Sequence, residues 1–332
     1  MRRLVVAAVC CAASLAALPG SGQQGSIVTS LTLFAGTAEG LWRSTNWAGS
    51  WERVAGRMSG VRLDALGAAR AVWPLASEVW LAGDGGLYYS QDFGETWAPL
   101  SLVRDIRALL LSRWPAADPT VFVGTGTGLL RSRDGGRTFA PTTLPAGAVH
   151  RLEWPGGAVV VACDRGLLVS RDEGGRFEGP GKGLPGGPVR AMAISSFFLV
   201  DPVLFAAPFS GGVFRSSDGG ATWTASGLSG EAVGDLVWLG PFLYAAGERG
   251  FHRSPDAGAS WTRLAESPGR PTRLMFPLAP AAGLEAFLAT DRGLFRTMDA
   301  GEHWSPAGFA GQEVLTVATF PPPEDSSGKK RR

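Results

Sequence analysis

Six aspartates recur along the chain in a single setting. Asp92, Asp134, Asp172, Asp218, Asp256 and Asp299 each stand two residues after a Ser or Thr and two before a Gly. The full pattern is Ser/Thr-x-Asp-x-Gly-x-Thr-aromatic, as in Ser90 to Trp97, Ser132 to Phe139 and Ser216 to Trp223. Arg176 replaces the Thr in the Ser170 copy, and a seventh copy at Ser44 to Trp51 has Asn46 for Asp and Ala48 for Gly. Evenly spread carboxylates could be acids, bases or metal ligands, yet this setting favours a turn. The Asp accepts backbone N–H bonds, Gly supplies a positive φ, and the hydroxyls tie adjacent amides. The closing aromatic is expected to be buried against a neighbouring sheet. These seven residues, Asn46 included, are therefore read as fold-makers.

The arginines are the stronger candidates for binding chemistry. Arg70, Arg107, Arg151, Arg190 and Arg273 each fall near the start of an apolar run, with Asp235 and Thr316 in the corresponding place of two further runs. Guanidinium groups collected at one place would suit a carboxylate, a sulfate or an acidic peptide. Three turns read Asp164-Arg165-Gly166, Glu248-Arg249-Gly250 and Asp291-Arg292-Gly293, which adds Arg165, Arg249 and Arg292 to the candidates. Pairing with carboxylates between repeats is the alternative for the first five and a structural role in the turn for the other three; among 31 basic residues only Lys182, Lys329 and Lys330 are Lys, so the abundance of Arg alone proves nothing. The arginines that precede the motif (Arg43, Arg131, Arg215, Arg253, Arg296) are expected to lay their stems on a strand with their heads in water.

No catalytic set is visible. The chain has three tyrosines, Tyr88, Tyr89 and Tyr244, while Glu153 and Glu285 stand without an evident partner. His150, His252 and His303 lack metal-ligand spacing, so neither a metal centre nor a cofactor is expected.

The elements that must position these residues follow from the repeat. Its start positions are 44, 90, 132, 170, 216, 254 and 297, separated by 46, 42, 38, 46, 38 and 43 residues, which is the size of a propeller blade. Upstream of each motif lie two apolar runs and a Gly-containing turn, as in Ile106 to Leu111, Val121 to Gly124 and Gly128 to Ser132. The unit is predicted to be four short antiparallel strands with the motif between the third and fourth. Such a sheet has two apolar faces and needs a neighbour on each. The expected fold is all-β, a seven-bladed β-propeller over residues 23–320. Its first unit lacks an initial strand, and Val314 to Phe320 follows the last motif. This C-terminal segment is predicted to complete the first blade and so to remove two open edges.

Composition agrees with a turn-rich, packed chain. It has 332 residues, 47 Gly, 23 Pro and 12 Trp, with 45% hydrophobic and 18% charged residues. The net charge of +2 resides in the two ends, so no broad basic field exists to recruit nucleic acid. Residues 1–22 read as a signal peptide: Arg2 and Arg3, an apolar run from Leu4 to Leu18, then Pro19-Gly20-Ser21-Gly22. A retained anchor is the alternative; after cleavage no transmembrane span is expected. Only Cys163 would then remain of three cysteines, which leaves no intrachain disulfide. Residues 321–332, with three prolines and four basic residues, are expected to form a disordered tail.

The motif resembles the Asp-box (BNR) repeat of the sialidase-like propeller superfamily, and the resemblance spans the whole segment after residue 22. The layout, one box per blade, is most similar to the photosystem II stability/assembly factor family and its bacterial relatives. That resemblance implies a secreted or periplasmic, monomeric, non-enzymatic scaffold that recognises a protein or glycan partner, possibly acidic, through its loop face. The alternative it carries is a glycoside hydrolase or sialidase-like enzyme with diverged catalytic residues. A sialidase would need a tyrosine nucleophile, a three-arginine grip and an Arg-Ile-Pro signature near the N-terminus, and the last of these is missing.

Overall fold

The computed structural model describes residues 32–54, 63–68, 79–83, 85–92, 94–112, 118–155, 157–195, 198–277 and 285–320. The proposed signal peptide, the basic tail and Arg70 lie outside these residues.

The second strand of each blade is a short run of β-branched, aromatic and small residues, and both its faces are covered. Val121–Thr125, Val159–Cys163, Leu204–Pro208 and Ala286–Thr290 are buried at every position. A strand that alternated apolar and polar residues could not sit between two neighbouring sheets. Seven antiparallel sheets result, and their innermost strands touch in a closed ring. In ring order these inner strands are Val314–Phe320, Leu63–Ala68, Ile106–Leu111, Val149–Glu153, Val189–Ile194, Val233–Leu239 and Pro271–Met275, for blades one to seven. Phe34, Phe122, Phe205, Phe251 and Phe287 are fully buried between blades.

The chain closes as its two ends foretell. Val314–Phe320 pairs antiparallel with Thr32–Thr37, from Thr32 opposite Phe320 to Thr37 opposite Val314.

One blade departs from the four-stranded expectation. Blade four has three strands, and its outer position is held by a single bridge between Val169 and Glu178. The chain then crosses to blade five, where the Lys182 N–H donates to the Ala221 carbonyl and the Trp223 N–H to the Lys182 carbonyl. The local sequence is Gly179-Pro180-Gly181-Lys182-Gly183. Pro removes a ladder donor and Gly contributes no packing, so this stretch cannot sustain an outer strand.

The box is a polar clasp at the outer corner of each blade. In blade two the Ser90 hydroxyl donates to Asp92 Oδ1 (2.7 Å), the Gly94 N–H to Ser90 Oγ (2.7 Å), and the Thr96 N–H to Asp92 Oδ1 (2.8 Å). Asn46 reproduces the arrangement with its amide oxygen, accepting from Ser44 Oγ and the Ser50 N–H. The box aromatics pack on the preceding blade: Trp97 meets Phe34 edge-on, and Trp304 meets Phe251 at 5.0 Å. Three of the arginines before the box, Arg43, Arg131 and Arg296, also reach across to the next blade, Arg296 to the Trp47 carbonyl, which corrects for them the expectation of heads in water. Arg43 pairs with Glu52 and with Glu95 of the next blade, and Arg131 binds both the carbonyl and the carboxylate of Glu173.

Gly301 is needed for two separate reasons. Its φ is +96°, and a methyl group there would overlap the Phe251 ring. Gly135, also left-handed at φ +70°, has open space around it. Gly135→Ala should therefore cost only the conformational term, about 1–2 kcal/mol, whereas Gly301→Ala adds overpacking for a total of about 3 kcal/mol or more. Urea midpoints of the two variants, compared with wild type, check this ordering.

The clasp also makes stability depend on acid. Hydrogen bonds from Thr222 hold the Asp218 carboxyl at about 2, and Ser260 does the same for Asp256. A depressed folded-state pKa contributes stability that is complete above the unfolded value near 4 and is lost as pH falls through the folded value. The melting temperature should fall most steeply between about pH 4 and pH 2, below a shallower decline that begins under about pH 6.5, where the unfolded chain protonates His150 and the folded chain, by burial, resists it. In an Asp218→Asn, Asp256→Asn double variant that acid drop should be shallower, because the amide cannot titrate.

Candidate binding site

The inner strands share a local irregularity that aims side chains at one end of the central channel. In all seven blades the pairing with the second strand skips one residue directly after its first pair. The skipped residues are Leu315, Asp64, Arg107, His150, Arg190, Gly234 and Thr272 in ring order. A bulge leaves its extra residue outside the ladder and redirects its side chain. Six of the seven line one pocket of about 460 Å³; the side chain of Asp64 is outside the described residues. Asp105, Arg270 and Glu313, each just before the first paired residue of its strand, join the lining with Phe209 from the turn after the second strand of blade five.

This register corrects one sequence reading. The five arginines do not share a position: Arg107 and Arg190 occupy the bulge, Arg151 and Arg273 come one residue later, and Arg70 follows the strand Leu63–Ala68. The bulge itself hides this from the sequence, because it shifts the count by one. Arg107, Arg151 and Arg190 meet in the pocket, while Arg273 lies beside Asp235.

The charges at the mouth are paired. Arg107 Nε is 3.0 Å from Asp105, Arg190 is 3.8 Å from Glu248, and Arg270 is 3.9 Å from Asp291 and 3.8 Å from Glu313. His150 Nε2 is 2.9 Å from Asp164. The carboxylates of the three Asp-Arg and Glu-Arg turns thus each face a mouth residue, His150, Arg190 or Arg270. Their arginines are elsewhere: Arg165 Nε donates to the Ala146 carbonyl, the Arg249 N–H binds Glu231, and the Arg292 N–H donates to Thr290 Oγ1. Burial lowers the His150 pKa, against the opposing pull of Asp164, and so favours the neutral ring.

Deeper along the channel, four ionisable residues face one another. Asp235 is 3.8 Å from Arg151 and 3.9 Å from Arg273, and its Oδ2 accepts the Leu274 N–H at 2.8 Å. Arg151 reaches from blade four to the Thr272 carbonyl of blade seven. Burial lowers the Arg151 pKa and raises that of Glu153, whose charge is nonetheless favoured by Arg273. Glu285 is away from the channel and bonds Arg296 at 2.6 Å. Among the described residues no group of His, Cys, Asp and Glu side chains could hold a metal ion, and no helix is long and apolar enough to cross a membrane. Phe209, Asp105, Arg270 and Glu313 were not singled out by sequence, since their meeting depends on ring closure.

Seven blades, each fastened by this clasp, define an Asp-box propeller. The BNR/Asp-box repeat model matches residues 88–99, the box of blade two. No curated protein sequence matches the chain. Among solved structures it is similar to an ancestral GH74 enzyme, with a TM-score of 0.65, 13% identity and coverage of 86% of this chain and 47% of that one. The chain thus spans about half the length of that enzyme. It is also similar to YCF48 bound to a D1 peptide (TM-score 0.55, 18% identity, 74% of this chain and 80% of that one). YCF48 from Cyanidioschyzon merolae is a third (TM-score 0.59, 14% identity, 82% and 90%). At these identities the likeness is one of fold.

Proposed function

We propose that this chain is a secreted or periplasmic binding propeller, without catalysis of its own, that docks a segment of a protein partner on its channel mouth. The observation that carries this reading is the bulge repeated in seven inner strands, which delivers residues of different chemistry to one pocket. A bulge that redirects a side chain sacrifices ladder bonds, and loops on a rigid ring are where recognition commonly sits. A similar propeller was solved with a peptide bound, which supports a peptide as the occupant. The proposed export rests on the N-terminal apolar run, and periplasmic fractionation of a tagged chain tests it.

The test of the mouth is the Arg107→Ala, Arg190→Ala double variant, assayed against a partner captured by crosslinking from an envelope fraction of the source cells. Both side chains are partly exposed, at 43% and 28%, so the melting temperature should stay within about 3 °C of wild type. Partner affinity should drop about tenfold or more. Binding undiminished in this variant and in Phe209→Ala alike would exclude the mouth as the site.

A hydrolase reading has one observation in its favour, the Glu153 carboxyl raised by burial in the channel beside Asp235. Product release from a polysaccharide panel, abolished by Glu153→Gln, would replace the binding reading with that one.

A further inference from the structure

Resting on that reading of the mouth, we infer that its occupant is an uncharged peptide segment anchored by an aromatic or proline ring on Phe209, and not a segment recognised for its negative charge. Every guanidinium that lines the pocket already has a carboxylate within 4.0 Å: Arg107 with Asp105, Arg151 with Asp235, Arg190 with Glu248, Arg270 with Asp291 and Glu313. An acidic ligand would have to displace these partners, and its own desolvation would be repaid only by exchange of one carboxylate for another. The mouth therefore exerts little net attraction on an anion.

What the paired groups do present is a donor beside an acceptor, repeated around the rim. A peptide unit has the matching equipment, one N–H and one C=O. Charged pairs so placed select a neutral, hydrogen-bonding chain and fix its register.

The ring supplies the anchor. Phe209 is 45% exposed although it lies in the pocket wall, and it is held from two sides, with the Arg190 guanidinium 4.4 Å from the ring centroid and the His150 ring at 5.3 Å. An aromatic side chain fixed in this way loses little conformational freedom when a second ring stacks on it. Position also matters. Arg107, His150 and Arg190 form one arc of the bulge residues, while Gly234, Thr272 and Leu315 form an uncharged arc opposite. Gly234 cannot carry a side chain there because the Pro271 carbonyl lies against it. A segment anchored at Phe209 thus passes the open position at Gly234 in blade six and then meets the paired Arg270 and Glu313 of blades seven and one.

Selection from a random dodecapeptide phage library on the full chain tests the inference. Enriched clones should carry Trp, Tyr, Phe or Pro with a net charge near zero, and their affinity should change less than about twofold between about 0.05 and about 0.5 M NaCl. Phe209→Ala should weaken them about tenfold with an unchanged melting temperature, and Phe209→Tyr should retain them. Enrichment of Asp- and Glu-rich clones whose binding collapses in salt and is lost in the Arg107→Ala, Arg190→Ala variant overturns the inference while it leaves the mouth as the site. Clones that bind the Phe209 and arginine variants as well as wild type overturn both readings.

Discussion

Truncation after Glu313 is expected to leave no folded monomer. The strand that would be lost, Val314–Phe320, supplies the inner position of blade one and pairs along the whole of Thr32–Thr37. Val314 and Val317 are buried against Phe287 and Ala289 of blade seven, so the cut removes the wall between the first and last blades. Two large aliphatic side chains contribute roughly 3–6 kcal/mol on burial, before the ladder is counted, and a typical domain has only about 5–15 kcal/mol to lose. The fully buried strand Thr32–Thr37 would also become an open, apolar edge, a template for association with other chains. The truncated chain should sediment as aggregate, whereas truncation after Phe320 should melt with wild type. Addition of a synthetic peptide covering 312–320 during refolding should restore soluble monomer if closure is the cause. A soluble, cooperatively melting chain that ends at Glu313 would refute it.

The same closure explains which parts of the molecule could be read in the sequence. Box chemistry is local: Ser, Asp, Gly and Thr lie within eight residues, and their bonds form inside the same turn, so spacing alone gives blade count and strand order. Even Asn46 follows the rule, since its amide oxygen accepts the bonds a carboxylate would. Closure was legible because a strand without a sheet and a sheet without a strand stand at opposite ends of the chain. Blade four was less so, since its box is intact and only the Gly and Pro that follow deny it an outer strand.

The site was legible in kind and not in register. Three of the five arginines, Arg107, Arg151 and Arg190, line the mouth, yet a bulge after the first pair moves the reading frame by one, and no residue type announces it: the skipped positions hold Leu, Asp, Arg, His, Gly and Thr. Partners were hidden for another reason. Arg190 faces Glu248 and Arg151 faces Asp235, separations of more than fifty residues that become contacts only across the ring. The two roles weighed for the arginines, ligand contact and inter-blade pairing, also divide by depth. The carboxylates that Arg107 and Arg190 pair with are exposed, whereas Arg151 and Arg273 bracket the buried Asp235.

That deeper position carries the second large effect. Asp235 is 3% exposed and is engaged on every side. Its Oδ1 accepts its neighbour's N–H from Leu236, its Oδ2 accepts the Leu274 N–H of blade seven, and the Arg151 and Arg273 guanidinium groups flank it. Asp235→Ala would leave a buried amide without an acceptor and two cations that share Glu153 as their counter-charge, one of them Arg151, whose protonated form burial already disfavours. Removal of one partner from such a cluster typically costs about 3–5 kcal/mol, and the chain should lose at least that much in urea titration. Asp235→Asn keeps the acceptor for Leu274 and discards the charge, so its loss should fall between Ala and wild type. In a Glu153→Gln background, which avoids a stranded buried carboxylate, the triple variant Asp235→Ala, Arg151→Met, Arg273→Met should recover part of the stability of Asp235→Ala, because it removes the cations along with their partner. If the single and triple variants are equally unstable, the cost comes from the orphaned Leu274 amide and not from charge. If Asp235→Ala melts with wild type, the channel cluster does not tie blades four, six and seven together.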